Sequence, residues 1–281
     1  MSEKINISVI ILTFNEEANI AQALNSVCNW TAEVFVLDSF STDKTCEIAS
    51  SYPCKVLQHE FKGFPQQRNY AIEHFPIKTD WIFFLDADEW VTEELKKEIA
   101  QIVMANPEEN GFYIKRRFIW MGKWIKRGYY PTWILRLFRN GKGYCEDRSV
   151  NEHIVIEGKV GYLKNDFIHE DLKGLTEWVA RQNRFASLEA EELFRKNEKD
   201  KYIGTKLFGT PVERKRWLRY NIWNKMPPLI RPFLYFTYRY FLKGGFLDGK
   251  QAFIYHFLQG LWVPFLIDVK YLELRKKRKP C

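Results

Sequence analysis

The first hundred residues alternate between short apolar runs and segments with helical spacing, and this alternation most constrains the fold. Apolar residues at helical spacing, such as Ile20, Leu24 and Val27, follow the first run. Strands that alternate with helices over short connections predict a mostly parallel sheet covered by helices on both faces. The predicted strands are 7–13 (ISVIILT), 32–38 (AEVFVLD), 55–61 (KVLQHEF) and 81–88 (WIFFLDAD), with a short helix at 66–75.

Polar residues stand at the carboxyl ends of three of these strands, at 13–16, 38–41 and 86–88. Ligands bind at the carboxyl ends of the strands in such sheets, so we expect the three polar clusters to converge on one edge. Asn15 is also expected to cap the first helix, with Glu16 in its first turn. Asp43 and Thr45 are expected to serve mainly as caps and turn formers.

The pattern changes after about residue 110. Antiparallel or mixed strands are predicted in GFYIKRRFIW, WILRLFRN, EHIVIEG and KVGYLK, and a long helix from near Leu175 to Lys196. From about residue 200 onward, aromatic residues are interleaved with lysines and arginines. The sequence therefore predicts an α/β domain over residues 1–200 and a helical, aromatic-rich, basic extension over residues 201–281.

Charge and cysteine content limit the class of protein. Lys plus Arg at 43 against Asp plus Glu at 35 gives a formal charge of +8, which predicts an anionic partner: nucleic acid, a phosphorylated ligand or a membrane surface. The five cysteines include no CxxC pair, so neither a disulfide framework nor a zinc site is indicated. A reducing compartment is the simpler interpretation.

The stretch FLDADE places Asp86 and Asp88 directly after a buried strand. Paired carboxylates with open coordination positions suit a hard cation such as Mg²⁺ or Mn²⁺, which can hold a diphosphate. The alternative for so short a motif is a solvated acidic turn. Glu89, immediately behind, is expected to support the turn.

Four motifs carry a family resemblance: VIILTFNEEANI, VLDSFSTDKT, GFPQQRNYAI and FLDADE, in this order. They resemble the nucleotide-sugar domain of glycosyltransferase family 2, strongly over about residues 5–100. More loosely, to about residue 200, the chain is similar to the bacterial branch of lipopolysaccharide-core β-1,4-glucosyltransferases. The resemblance implies the GT-A fold, a divalent metal, and usually inversion at the anomeric carbon of a nucleotide sugar, with a UDP-hexose as the donor.

The same resemblance implies roles for individual residues. Asp88 would be the principal metal ligand, Asp86 would contact both ribose and metal, and His169 in DFIHED would complete the metal shell, or else be structural. The residues that contact the nucleotide sugar would be Thr13, Asn15, Glu16, Asp38, Ser41, Arg68 and Asp86, with Arg68 approaching the diphosphate.

An inverting transfer also needs a general base that deprotonates the acceptor hydroxyl. Two carboxylates in CEDRSVNEHI qualify, Glu152 and Asp147. Many relatives place the base in a Glu-Asp pair, which points to Asp147, whereas the lipopolysaccharide-core branch has a His-Glu pair, which Asn151 and Glu152 resemble. The sequence favours Glu152 and keeps Asp147 as the alternative. Asn151 stands in place of the usual histidine, which leaves open whether that position supports the base or only packs.

The C-terminal segments LIRPFLYFTYRYFL and AFIYHFLQGLWVPFLI are interrupted by polar residues, and no stretch approaches the run of about 18 apolar residues expected of a spanning helix. With the basic tail RKKRK, they predict peripheral contact with an anionic leaflet on the cytoplasmic face of a bacterial inner membrane, which fits a glycan or lipid-linked acceptor. The alternatives are a helical cap or an oligomer interface. Trp120, Trp124 and Trp133 could similarly form an acceptor platform or pack in the core.

Two other functional classes remain open at this point. The charge and the interleaved aromatics would also fit a nucleic-acid-binding module, but the acidic strand ends oppose it, so we expect no nucleic-acid partner. A non-catalytic sugar-nucleotide-binding protein is opposed by Asp86, Asp88 and Arg68. The donor sugar, the acceptor and the oligomeric state are not defined by the sequence.

Overall fold

The computed structural model describes residues 4–148, 152–195 and 205–277. These residues form two compact units. The first unit comprises residues 4–119, 131–148 and 152–173, and the second comprises residues 120–130, 174–195 and 205–277. The predicted boundary at residue 200 lies outside the described residues. The helix that begins at Gly174 belongs to the second unit.

The sheet of the first unit is mixed, as predicted. The strands of the described residues in chain order are β1 (Ile5–Thr13), β2 (Thr31–Asp38), β3 (Lys55–Gln58), β4 (Trp81–Asp86), β5 (Glu89–Val91), β6 (Gly111–Trp120), β7 (Lys123–Trp124), β8 (Thr132–Arg139), β9 (Gly143–Cys145), β10 (Ile154–Ile156) and β11 (Val160–His169). Strand β7 belongs to the second unit, and β9 and β10 pair in a separate two-stranded sheet. The order in the sheet is β3-β2-β1-β4-β8-β6-β11-β5. The first four strands are parallel, β8 is antiparallel to β4 and β6, β11 is parallel to β6, and β5 is antiparallel to β11.

Helices account for most of the remaining described residues. The α-helices are α1 (Ile20–Val27), α2 (Thr45–Ser50), α3 (Phe64–His74), α4 (Glu93–Ala105), α5 (Gly174–Arg195), α6 (Pro211–Asn221), α7 (Arg231–Thr237), α8 (Lys250–Tyr255) and α9 (Val263–Lys277). Short 3₁₀ segments lie at Trp223–Lys225 and Gly245–Asp248, and π-helical turns at Tyr238–Leu242 and His256–Trp262. The helices predicted at 66–75 and from Leu175 are confirmed as α3 and α5.

The buried strands explain why the polar clusters meet. Ile7, Val9 and Ile11 of β1 are fully buried in the core of the first unit. The parallel register of β1 then places Thr13 beside Asp38 and Leu12 beside Asp86. The carboxyl ends of β1, β2 and β4 therefore lie at one edge of the sheet, as expected.

The prediction that Asn15 caps the first helix was wrong. Helix α1 begins at Ile20, its N-cap position is Asn19, and Asn15 adopts a φ of +53° in the preceding turn. Asn15 is instead tied to the loop after β2, because its Oδ1 accepts a hydrogen bond from the Thr42 amide at 2.8 Å and its amide donates to Ser41 Oγ at 2.8 Å. Hydrogen bonds between the loops replace the local cap. Asp43 and Thr45 act as turn formers, since Asp43 Oδ1 accepts from the Thr45 amide at 3.0 Å.

The second unit has its own aromatic core. Trp120 is buried, and its ring lies 5.2 Å from Trp178 and 5.5 Å from Tyr255, so packing accounts for this tryptophan. Arg231 and Asp268, both buried, form an ion pair that joins α7 to α9.

One helix among the described residues, Lys250–Lys277, is long and apolar enough to cross a membrane, judged by length and composition alone. The expectation that no segment comes near this requirement was wrong. It demanded an uninterrupted apolar run, whereas residues 251–267 include Gln, His, Gly and Pro but no Asp, Glu, Lys or Arg. One third of the most apolar stretch of this helix, 33%, is buried.

Candidate active site

Hydrogen bonds join the ends of β1 and β2 into one rigid wall. Asp38 is fully buried, and its carboxylate accepts from Thr13 Oγ1 at 2.9 Å, from Ser41 Oγ at 2.5 Å and from the Ser41 amide at 2.9 Å. Burial would raise the pKa of Asp38, but the two hydrogen bonds from Ser41 and one from Gln58 lower it below its ordinary value. Asp38 therefore acts as a carboxylate that accepts hydrogen bonds from the surrounding loops and holds them in place.

Glu16 occupies the same edge and is paired with a lysine from beyond β11. Lys173 Nζ lies 2.5 Å from Glu16 Oε1, and Asn19 donates to Glu16 Oε2 at 2.8 Å. Burial raises the pKa of Glu16, and Lys173 opposes this shift only in part. The structure thus brings Thr13, Asn15 and Glu16 together with the second loop.

Two exposed aromatic rings border this wall and were missed at the sequence level. Phe14 and Phe40 follow β1 and β2, and both are more than half exposed. Phe40 has a φ of +58°, which is rare for a bulky residue and marks a strained position. The available signal was an apolar residue inside each of two otherwise polar loops.

Asp86, Asp88 and Glu89 form what we call the acidic edge. A buried arginine that the sequence analysis missed lies against it. Arg136 of β8 lies with Nη2 2.5 Å from Asp86 Oδ2 and 2.6 Å from the fully buried Glu89. Partial burial alone would raise the pKa of Asp86, but the charges of Arg136 and Arg68 hold it well below its usual range. An arginine inside the apolar strand WILRLF could have been recognised, because a buried charge needs a partner.

Glu89 supports the turn, as expected. Its Oε2 accepts a hydrogen bond from the Asp86 amide at 3.0 Å, while its Oε1 accepts from Arg136. Asp86 is thereby held from two sides, by its own backbone and through the guanidinium of Arg136. Both carboxylate oxygens of Asp86 contact Arg136, at 2.5 and 3.2 Å.

Asp88 faces His169 across the end of the sheet. The antiparallel pairing of β5 with β11 places His169 opposite Glu89, so that His169 Nδ1 lies 3.6 Å from Asp88 Oδ1 and 3.6 Å from Glu89 Oε1. Both distances are too long for hydrogen bonds, and His169 Nδ1 is buried without a hydrogen-bond partner in the described part of the chain. A buried imidazole nitrogen beside two carboxylates could serve as a ligand for a metal ion.

Helix α3 aims Arg68 at the acidic edge. Gly63 begins the turn into α3 with a φ of +139°, which L side chains rarely adopt. Asn69 then fixes the helix to β9 through both backbone groups of Cys145, at 2.8 and 2.9 Å. Arg68 Nη1 lies 2.6 Å from Glu152 Oε1, and Nη2 lies 3.5 Å from Asp86 Oδ1.

The two candidate bases lie in different surroundings. Glu152 is joined through Arg68 to Asp86 and is largely buried. Asp147 is exposed, accepts a hydrogen bond from Gln66 at 2.7 Å, and lines an open surface pocket with Tyr70 and Glu73. Of the two, Glu152 alone contacts the ion-paired cluster around Asp86 within the described part of the chain.

The chemistry of these side chains fits a divalent cation held jointly with a ligand. Among the described residues, no three His, Cys, Asp or Glu side chains converge closely enough to form a metal site alone. Mg²⁺ is commonly bound by one or two carboxylates plus substrate phosphates, which is a smaller demand on the protein. Asp88 and the open nitrogen of His169 can supply two ligands of such a set, while the oxygens of Asp86 contact Arg136.

Comparisons with known proteins agree with this geometry. A family model described as Glycosyl transferase family 2 matches residues 8–161. The chain is 27% identical over 277 residues to the lipopolysaccharide core biosynthesis glycosyltransferase LpsC of Rhizobium meliloti, with 92% of each chain covered. It is 32% identical over 205 residues to an uncharacterised glycosyltransferase of Rickettsia typhi, covering 69% of this chain and 70% of that protein. The mannosyltransferase PcManGT from Pyrobaculum calidifontis, solved with GDP-Man and Mn²⁺, superposes with a TM-score of 0.53 at 16% identity, covering 96% of this chain and 88% of that one.

The structural likeness and the mixed sheet define the GT-A class of α/β fold. The family model covers more than half of the chain, and the chain belongs to glycosyl transferase family 2. It is a glycosyltransferase, and it resembles an enzyme of lipopolysaccharide core biosynthesis, as the sequence indicated. Of the classes left open by the sequence, the family assignment selects the enzyme.

Proposed function

We propose that the protein is a metal-dependent, inverting glycosyltransferase that moves a hexose from a UDP-sugar to a saccharide or lipid-linked acceptor of a bacterial cell-surface glycan. The observation that carries the proposal is the chain of contacts from Glu152 through Arg68 and Asp86 to Arg136 at the carboxyl ends of the strands. This arrangement supports the proposal because a carboxylate that could act as the base, a guanidinium that could bind phosphate and a candidate metal-ligating carboxylate belong to one cluster.

The donor would bind along the wall formed by the loops after β1 and β2. Thr13, Asn15, Glu16, Asp38 and Ser41 shape this wall, and the exposed ring of Phe14 offers a face on which a nucleobase can stack. Arg68 would bind the diphosphate, because a planar guanidinium matches phosphate oxygens and its Nε has no acceptor within the described residues.

Asp88 and His169 would hold the divalent cation next to Asp86, and the cation would offset negative charge on the departing diphosphate. The protein's own chemistry is proton transfer and positioning. Glu152 would accept the proton of the acceptor hydroxyl while that oxygen forms a bond to the anomeric carbon. The bond from the anomeric carbon to the β-phosphate oxygen would break on the opposite side, so the electron pair leaves with the diphosphate and the configuration inverts.

Calorimetric titration tests this function. UDP-glucose, UDP-galactose, UDP-N-acetylglucosamine and GDP-mannose would each be titrated into the protein with and without Mn²⁺. We expect one UDP-sugar to bind in a Mn²⁺-dependent manner, and we expect Asp88→Asn to remove that dependence while Glu152→Gln retains binding. Binding of GDP-mannose alone would overturn the UDP assignment, and binding of no donor would overturn the proposed activity.

The C-terminal region carries an exposed aromatic face, which we assign to the membrane. This aromatic face comprises the exposed Phe241, Phe246, Phe253 and Phe257 and the half-buried Tyr240 that contacts three of them. The ring of Tyr240 lies 5.1 Å from Phe241, 6.3 Å from Phe246 and 5.6 Å from Phe253, and Phe253 lies 6.2 Å from Phe257. Each phenylalanine is about half exposed, so the rings form one continuous apolar patch of the kind that marks an interaction surface.

Charges around the aromatic face are complementary to anionic lipid. Lys243 and Lys250 are exposed beside it. Asp248 is the one carboxylate within residues 230–262, and it is buried and paired with Arg127 at 2.7 Å. Apolar rings flanked by exposed lysines, with no exposed carboxylate within residues 230–262, suit the headgroup region of an anionic leaflet.

The helix Lys250–Lys277 would lie at this interface rather than cross the membrane. Its buried Asp268 pairs with Arg231, and its Lys270 donates to Ser187 Oγ of α5 at 2.6 Å. Charged groups at the centre of a bilayer are costly, whereas both partners here are part of the second unit. We therefore place the enzyme on the cytoplasmic face of the inner membrane, with catalysis in the region 1–200 and lipid contact in the region 201–281.

Sedimentation with vesicles tests the membrane assignment. We expect the protein to sediment with vesicles of phosphatidylethanolamine and phosphatidylglycerol, and less with phosphatidylethanolamine alone. Leu242→Glu and Leu247→Glu introduce charge beside the aromatic face, at side chains 76% and 60% exposed, and should abolish sedimentation. Met104→Glu, at a side chain 83% exposed in the first unit, is the control and should not. If Leu242→Glu instead dissociates a dimer in solution, the face belongs to a second copy of the chain.

A further inference from the structure

Arg68 contacts two carboxylates, and it lies closer to one of them than to the other. Its Nη1 lies 2.6 Å from Glu152, and its Nη2 lies 3.5 Å from Asp86. Asp86 already has a closer guanidinium partner, since Arg136 contacts both of its oxygens. Arg68 therefore pairs mainly with Glu152.

The pair of Arg68 and Glu152 is shielded from water. Their side chains are 12% and 14% exposed, and the rings of Phe64 and Phe84 lie 5.9 and 6.0 Å from the guanidinium carbon of Arg68. A charge pair with little water around it is strong, and each member depends on the other. Glu152 held in this way has one oxygen committed to a guanidinium rather than to a proton from a hydroxyl.

We propose that Arg68 is a positioning residue that exchanges one anion for another: it holds Glu152 in the free enzyme and transfers to the diphosphate when the donor binds. The inference rests on the proposed function, because it requires a diphosphate ligand and Glu152 as base. The exchange leaves Glu152 without its guanidinium partner and able to accept the acceptor's proton. The base thus becomes available only after the donor is in place.

Two features of Arg68 favour the exchange. Its Nε is buried and has no hydrogen-bond partner among the described residues, so the guanidinium has an unused donor. A diphosphate offers several charged oxygens and can engage two donors of the fork at once, which a single oxygen of Glu152 does not. The donor therefore competes directly with Glu152 for the same guanidinium.

Competition predicts an unusual variant. Removing the charge of Glu152 frees Arg68, so Glu152→Gln should bind UDP in the presence of Mn²⁺ more tightly than the wild type, by about tenfold, the value of one charge-assisted hydrogen bond. The same variant should lose transfer. Glu152→Ala repeats the experiment without a hydrogen-bonding side chain at this position, and circular dichroism would verify that both variants are folded.

Two controls separate the exchange from general charge effects. Asp147→Asn removes the same charge from beside α3, but Asp147 accepts from Gln66 and should leave UDP affinity unchanged. In the background Arg68→Gln, the gain from Glu152→Gln should vanish, because no guanidinium remains to be freed. Calorimetry with UDP gives all the affinities, so the readout does not depend on activity.

The outcomes distinguish this inference from the proposed function. Tighter binding in both Glu152 variants, absent from Asp147→Asn and from the Arg68→Gln background, supports the exchange. Unchanged or weaker UDP binding in folded Glu152 variants overturns it, as does an equal gain in Asp147→Asn, while the proposed function stands if the wild type binds UDP. If the wild type binds neither UDP nor any UDP-sugar, both fail.

Discussion

Removing the side chain of Arg136 should destabilise the first unit, because this guanidinium forms ion pairs with two carboxylates, Asp86 and Glu89. In Arg136→Met, the fully buried Glu89 loses the guanidinium that is its closest cationic partner among the described residues, and Asp86 loses the closer of its two guanidinium partners. Breaking a buried ion pair by removing one partner costs about 3–5 kcal/mol. Asp86 is 36% exposed and stays partly hydrated, so most of the cost comes from Glu89.

The pH dependence of this effect has a defined sign. Arg136 lowers the pKa of Asp86, so the stabilisation from this pair is fully present above the ordinary aspartate value of about 3.9 and is lost as the pH falls through the lower value in the folded protein. The variant lacks this contribution at every pH. The difference in unfolding free energy between wild type and variant should therefore stay constant from about pH 7 to about pH 4 and shrink as the pH is lowered further.

Urea unfolding followed by tryptophan fluorescence measures the difference, and hydrogen exchange of the peptide that contains β4 and β5 localises it. Arg139→Met is the matched control, because Arg139 lies on the same strand and donates to Asn106 and a backbone carbonyl rather than to a carboxylate. It should cost about 1 kcal/mol. If Arg136→Met cost no more than this control, or if its deficit did not shrink in acid, the buried arginine would not be compensating the acidic edge.

Three further predictions concern ligand binding and turnover. In Asp88→Asn, Mn²⁺ should no longer strengthen UDP binding in calorimetry, and retained metal dependence would exclude Asp88 as the main ligand. Glu152→Gln should lower the rate of UDP release from a UDP-sugar and acceptor by about 10²–10⁴-fold. Asp147→Asn should lower it by less than about tenfold, and the reverse order would move the base to Asp147. Phe14→Ala should weaken UDP binding by about 1–3 kcal/mol if the nucleobase stacks on this ring. Unchanged affinity would mean that the nucleobase binds elsewhere.

The sequence predicted the architecture well because strand burial and helical spacing are local patterns. The runs around Ile7 and Phe83 are apolar enough to be recognised as buried strands, and parallel pairing then fixes where they end. The cap at Asn15 was predicted from a local rule that tertiary hydrogen bonds to the neighbouring loop override. Local patterns do not reveal which distant loop competes for a side chain.

The supporting residues of the site could not be predicted in the same way. Arg136 lies 50 residues from Asp86 in the sequence, and nothing local to WILRLF identifies its partners. Similarly, Arg68 was predicted as a phosphate-binding residue, but its pairing with Glu152 depends on how α3 is fixed to β9. Charge partners across a sheet become visible only when strand order and register are known.

The charge of the site, rather than the charge of the chain, defines the ligand that it can accept. The chain carries +8, which alone points to an anion. The contact network nevertheless holds four carboxylates, Asp86, Asp88, Glu89 and Glu152, against the two guanidiniums of Arg68 and Arg136. These carboxylates would repel a diphosphate that arrived alone. A divalent cation offsets negative charge at this edge, so the electrostatics of the described site favour a diphosphate that binds together with its metal over one that binds without it.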